Sequence, residues 1–164
     1  MKPKLYLEGP IPSYYVARPS RDIVVAAQQQ QTRDWWDYRH GLFDIYVSEI
    51  VLEEIDEGEK AMARQRLDLV KPFPMLSITN DVVNLARALV DEGPLPKKAA
   101  RDAAHIALAA VHKIDFLLTW NCRHIANPTM LRRIAFVCDR REVTAPVICT
   151  PHELLTDLIY EDEN

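Results

Sequence analysis

Glu8, Glu54 and Asp102 are the acids of this chain whose positions suit shared chemistry, with Asn121 as a neutral fourth member. In an open α/β sheet, ligands bind in the crevice at the carboxyl ends of the strands, near the point where strand order reverses. Glu8 ends the β-prone run Lys4–Leu7 and Asn121 follows the run Asp115–Thr119, so both belong to that edge. Glu54 falls about two turns into the helix leaving the second strand, still within reach of the same edge. Asp102 stands in the first turns of a helix that runs back before the fourth strand, which returns it there too. Asp115 begins its strand and is excluded, because it belongs to the opposite end. Carboxylates gathered in one crevice repel one another and take up protons unless a cation sits between them. Carboxylate and water ligands favour Mg²⁺ or Mn²⁺ over zinc, and such an ion activates a water and stabilises the leaving oxygen in phosphodiester cleavage.

Asp102 has the strongest local case. Small neighbours, among them Ala99, Ala103 and Ala107, let its helix pack close to a sheet, and an acid bordering such a face must be paired, capping or binding something. The alternative for Asp102 is a helix-start charge complementing the macrodipole, and for Glu8 and Glu54 a solvated surface acid. Glu53 adjoins Glu54, but successive helical residues point about 100° apart, so only one of them faces the crevice. Arg123 is a candidate phosphate contact. Cys122 with His124 suggests a nucleophile or metal clip but lacks further ligands at useful spacing. His105, one turn from Asp102, reads as an orienting or proton-shuttling group or, alternatively, as a satisfied core histidine. Trp35, Trp36 and Tyr38 read as packing groups of a long helix rather than base-stacking ones. Ser13 has no Ser/His/Asp constellation around it.

The elements that must position these residues follow from local pattern. Lys4–Leu7 is a strand closed by Glu8, Gly9 and Pro10 as a turn. Arg21–Arg39 is helical; Asp44–Val47 is a second strand, and Ser48 caps a helix striped by Ile50, Val51 and Ile55 and stopped by Gly58. A helix over Glu59–Val70 leads to a third strand, Met75–Ile78, and Thr79 or Asn80 caps a helix ending at Gly93. Lys97–His112 is an Ala-rich helix, Asp115–Thr119 a strand, Met130–Arg140 a helix and Pro146–Cys149 a last strand, after which Thr150–Pro151 opens a closing helix. Strands alternating with helices predict an α/β domain with a mostly parallel central sheet flanked by helices.

Composition narrows the function. A length of 164 residues with 48% hydrophobic and 27% charged side chains fits one soluble domain with an adequate core. Four glycines cannot spell G-x-G-x-x-G or a P-loop, which removes the usual dinucleotide and NTP sites. The net charge is −4, of which Glu161, Asp162 and Glu163 carry three units, so no global basic field exists; local clusters such as Lys97, Lys98 and Arg101 can still contact phosphates. Three cysteines without a C-x-x-C pair argue against a disulfide framework and for a reducing cytoplasm. No apolar stretch approaches the roughly 18 residues of a membrane span, so no membrane association is expected.

The strings Tyr6-Leu-Glu8, Ser48-Glu-Ile-Val-Leu-Glu-Glu54-Ile, Asp102-Ala-Ala-His-Ile-Ala-Leu-Ala and Leu117-Leu-Thr-Trp-Asn121 resemble, in order and spacing, the PIN-domain ribonucleases, especially the VapC-type toxins of toxin–antitoxin pairs. The resemblance implies a single PIN-like domain over residues 1–160 with an acidic tail at 161–164, and it implies that Glu8, Glu54 and Asp102 bind Mg²⁺ or Mn²⁺, with Asn121 completing the catalytic set. It further implies an RNA substrate contacted by Ser13 and Arg123, a cognate antitoxin partner and a homo-oligomer. Two positions depart from the family pattern. Glu8, followed by Gly9 and Pro10, stands where an Asp followed shortly by Thr or Ser is usual, and Asn121 brings no charge. They leave open a catalytically degenerate module that binds RNA or a protein partner. A receiver-like phosphoacceptor domain is disfavoured, because the third strand ends without an Asp.

Overall fold

The computed structural model describes residues 1–155. Strand β1 (Lys4–Leu7) runs through the middle of the sheet, with β2 (Asp44–Ser48) on one side and β4 (Phe116–Leu118) on the other. β3 (Met75–Leu76) and β5 (Val147–Cys149) form the edges, giving the order β3-β2-β1-β4-β5 with every neighbouring pair parallel. Successive strand residues point to opposite faces, and Leu5, Tyr6 and Leu7 are all fully buried, so both faces of β1 are covered. Strand order reverses at β1, and the switch point therefore lies where β1 and β4 end. Register fixes that place: Leu7 pairs with Leu118, and the Glu8 N–H donates to the Leu118 carbonyl at 3.2 Å.

Among the described residues, seven α-helices flank the sheet. Helix α1 (Pro10–Val16) follows Glu8 and Gly9, where the sequence suggests only a turn. Its prolines, Pro10 and Pro12, both fall in the first turn, where the missing N–H groups have no intrahelical acceptor to lose. Helix α2 (Ile23–Tyr38) starts later than expected because the Asp22 carboxylate caps it by accepting from the N–H groups of Val24 and Val25. Trp35 and Trp36 of this helix are buried in the core, but Tyr38 is 72% exposed and packs nothing of that kind.

Ser48 caps α3 (Glu49–Asp56), and α4 is Lys60–Val70. Thr79, rather than Asn80, caps α5 (Asn80–Asp91). The stretch expected as one helix from Lys97 splits into a 3₁₀ turn, Lys97–Ala99, and α6 (Ala100–Val111). Helix α7 (Pro128–Arg140) begins two residues before Met130, because the Asn127 side chain caps it and Pro128 suits its first position. β3 stops at Leu76 because its partner β2 ends opposite it at Ser48, and the Ser77 carbonyl beyond meets His112 Nε2 at 2.7 Å. Beyond β5 the described residues show a 3₁₀ turn, Glu153–Leu155; the rest of the expected closing helix and the acidic tail 161–164 lie outside them. No helix among the described residues is long and apolar enough to cross a membrane.

Candidate metal centre

Glu8 emerges directly at the switch point and is only 3% exposed. Its Oε2 accepts a hydrogen bond from the Thr119 hydroxyl, which itself accepts from the Asn121 N–H at 2.9 Å. Burial pushes the Glu8 carboxyl up to about 7; His105 and the Thr119 hydroxyl oppose the shift, while the charges of Glu54 and Asp102 add to it. An acid in that condition has less countercharge than its burial and its acidic neighbours demand.

Glu54 reaches the same point from α3, with its side chain 16% exposed, whereas Glu53 is exposed. The approach depends on Gly9. A Cβ built there would stand 2.8 Å from Glu54 Cβ and 3.0 Å from Glu54 Oε2, too close for any other residue without moving the acid. The third member is His105 of α6, fully buried, whose Nε2 lies against Glu54 Oε1 in ion-pair contact. That contact lacks hydrogen-bond geometry, so both atoms are buried without a hydrogen-bond partner. The other ring nitrogen, Nδ1, is 2.8 Å from Tyr6 Oη, which is 2.7 Å from Ser48 Oγ. Glu8, Glu54 and His105 each offer one atom within a set whose members all lie within 4.8 Å of one another.

Asp102 borders this cluster without joining it. It is close enough to raise the Glu8 carboxyl, but its Oδ2 is 2.9 Å from His124 Nδ1. Asn121 builds the turn that carries His124. Its Oδ1 accepts from the His124 N–H at 3.0 Å, and its carbonyl accepts from the N–H groups of Ile125 and Ala126. Ser13 donates to the Gly9 carbonyl at 3.0 Å and, with Tyr14, Glu54, Glu57 and Arg101, lines a groove of about 280 Å³ beside the cluster. Arg101 pairs with Glu57 at 3.0 Å in that groove, while Arg123 lies exposed on the 121–126 turn. The Tyr14 ring stacks on Trp120 at 6.4 Å between centroids.

The geometry agrees with setting aside Cys122 with His124 and departs from the core reading of His105. Cys122 and His124 form no dyad, since His124 turns to Asp102 and the Cys122 thiol is pushed up by desolvation, the reverse of an activated nucleophile. His105 is also not a satisfied core histidine, because one ring nitrogen has no hydrogen-bond partner. Asp115 sits at the far edge, where its Oδ2 accepts from the Lys4 N–H at 2.7 Å.

His105 and His124 are the functional candidates that sequence reasoning underrated. The available signals were the three-residue step from Asp102 to His105, which shares a helix face, and the equal step from Asn121 to His124. Crowded acids, a carboxyl held at about 7 and two buried polar atoms in contact without hydrogen-bond geometry are the conditions a divalent cation relieves, so the donor set fits a metal. In comparisons with known proteins, the chain matches no family model and no curated protein.

Proposed function

We propose that the protein is a metal-dependent endoribonuclease of the PIN-like kind, the toxin of a toxin–antitoxin pair, acting in the cytoplasm. The observation that carries this reading is the meeting of Glu8, Glu54 and His105 at the switch point, with Asp102 alongside. Glu8 and Glu54 would hold Mg²⁺ or Mn²⁺, which when bound supplies an activated water and stabilisation of the leaving oxygen. Thr119 fixes the Glu8 carboxylate, and Gly9 admits Glu54 to it. Asp102 and His124, paired Oδ2 to Nδ1 at 2.9 Å, would serve beside the cluster as a proton-transfer pair. Asn121 acts through the turn that holds His124, Ser13 and Arg101 line the groove where an RNA backbone would lie, and Arg123 is exposed on the turn that carries His124. The antitoxin partner and homo-oligomer rest on the resemblance alone; the free state of Cys122, Cys138 and Cys149 supports a reducing compartment.

The test is cleavage of a mixed RNA substrate by the purified protein with Mn²⁺ or Mg²⁺ and with chelator. Cleavage is expected only with metal, and it should fall at least about 10²-fold in folded Glu8→Gln and Glu54→Gln proteins. Metal-independent cleavage, or unchanged rates in both variants, overturns the reading.

A second reading, a degenerate module that binds RNA or a protein, is favoured by one observation. Asp102 and the Asn121 side chain are both engaged by His124 rather than facing Glu8. RNA binding without cleavage under all metal conditions would establish it.

A further inference from the structure

We propose that His105 Nε2 is itself a ligand of the metal centre, which makes it a mixed oxygen–nitrogen site that takes Mn²⁺ in preference to Mg²⁺. This rests on the metal-dependent reading above and specifies its ligands.

His105 is fully buried on α6, and its Nε2 has no hydrogen-bond partner although it lies among polar atoms. Its contact with Glu54 Oε1 lacks hydrogen-bond geometry, and a cation held between the two would take both atoms as ligands. The atom beside it, Glu54 Oε1, is buried and equally without a hydrogen-bond partner. His105 and Glu54 each contribute one atom, with one from Glu8, to a set lying within 4.8 Å of one another. One cation placed among the three would satisfy all of them.

The surroundings prepare the ring for that role. Metal-bound histidines hold their second nitrogen in a hydrogen bond that fixes ring orientation and tautomer. Here Nδ1 meets Tyr6 Oη at 2.8 Å, and Tyr6 Oη meets Ser48 Oγ at 2.7 Å, with Ser48 anchored as the cap of α3. If Nδ1 donates to Tyr6 and Tyr6 to Ser48, the Nε2 lone pair is left facing Glu54. If the hydroxyls are turned the other way, Nε2 carries the hydrogen towards Glu54. The two settings differ in the direction of the Tyr6 and Ser48 hydroxyl hydrogens and in which ring nitrogen carries the proton, and only the first leaves Nε2 free to bind a cation. α3, β1 and α6 thus converge on one imidazole.

Nitrogen ligation alters metal choice. Imidazole suits first-row transition ions, whereas Mg²⁺ requires oxygen ligands in near-ideal octahedral geometry and sheds water reluctantly. Mn²⁺ accepts both donor types.

The experiment adds Mn²⁺ to the full-length metal-free protein and records electron spin-echo modulation alongside Mn²⁺/Mg²⁺ competition. Directly coordinated ¹⁴N coupling is expected, with Mn²⁺ bound about tenfold or more tightly than Mg²⁺. Glu8→Gln should abolish the bound signal, identifying the site. His105→Gln should remove the ¹⁴N coupling and most of the preference, and Tyr6→Phe, which keeps the ligand but frees its ring, should weaken Mn²⁺ binding about tenfold. Because the wild-type spectrum decides the ligand, the test stands even where a variant fails to fold. Mn²⁺ bound at the Glu8-dependent site without ¹⁴N coupling overturns the proposal and leaves the metal-dependent reading intact. Absence of any Glu8-dependent Mn²⁺ binding overturns both.

Discussion

Gly9 shows how much a single Cβ decides at this centre. With 2.8 Å to Glu54 Cβ there is room for hydrogen alone, so the glycine that departs from the expected Asp-then-hydroxyl pattern also admits the second acid. Gly9→Ala should displace Glu54, costing about 1–3 kcal/mol of stability through overpacking. Its larger effect should be on Mn²⁺ affinity, read by titration calorimetry; affinity equal to that of the parent would mean Glu54 is not a ligand. Glu8 gives a second prediction. Its carboxyl is held at about 7 by burial, against an ordinary 4.5, so without metal the folded state binds more protons than the unfolded chain between those values. The stabilising contribution is therefore complete below the lower value and lost as pH rises through about 7. Metal-free protein should be more stable near pH 5 than near pH 8, with Glu8 supplying on the order of 3 kcal/mol of the difference. Chemical denaturation at the two pH values checks this, and Glu8→Gln should remove that share; a difference unchanged in the variant contradicts it. Glu8 and Glu54 were legible as candidates because strand ends and helix phase follow from local pattern. The ring of His105 was not legible. A histidine among alanines and isoleucines reads the same as core or as ligand until Tyr6, Ser48 and Glu54 arrive from other elements.

At the scale of elements, the turn after β4 holds contacts that sequence pattern leaves out. Asn121 follows Thr119 as expected, yet its side chain caps the turn that sets His124 on Asp102. Asn121→Ala should loosen the turn at a cost of about 1 kcal/mol and release His124, so that cleavage falls as far as in His124→Ala. Asn121→Asp keeps an acceptor for the His124 N–H and should retain activity near the parent value. Rate measurements on the three folded proteins decide it; activity unaffected by Asn121→Ala would free the turn of any role. Helix α1 escaped the sequence for a physical reason, since Gly-Pro-x-Pro spells a turn until both prolines are seen to fall in a first turn where no N–H is needed. Strand lengths were overestimated at β3 and β4, because β-prone residues such as Ile78 and Thr119 continue past the last ladder pair. Thr119 still donates its N–H to the Cys149 carbonyl at 3.0 Å, while its hydroxyl holds Glu8.

For the whole molecule, alternation of strands and helices was enough to predict the parallel sheet, and the order β3-β2-β1-β4-β5 adds what alternation cannot: the reversal at β1. That reversal brings residues from β1, α3 and α6, separated by dozens of positions in the chain, to a common point. The metal is not expected to be needed for folding, since the hydrophobic core is continuous without it. It should stabilise by mass action instead, by about 2.7 kcal/mol at a hundredfold excess over its Kd, seen as a higher Tm with Mn²⁺ that Glu8→Gln abolishes. The most direct measurement of the central claim is anomalous diffraction at the manganese edge from crystals of the protein grown with Mn²⁺. The account predicts one strong peak within coordinating distance of Glu8, Glu54 and His105 Nε2. Diffraction from Mn²⁺-saturated crystals with no peak there, or with the peak held by other residues, would contradict it.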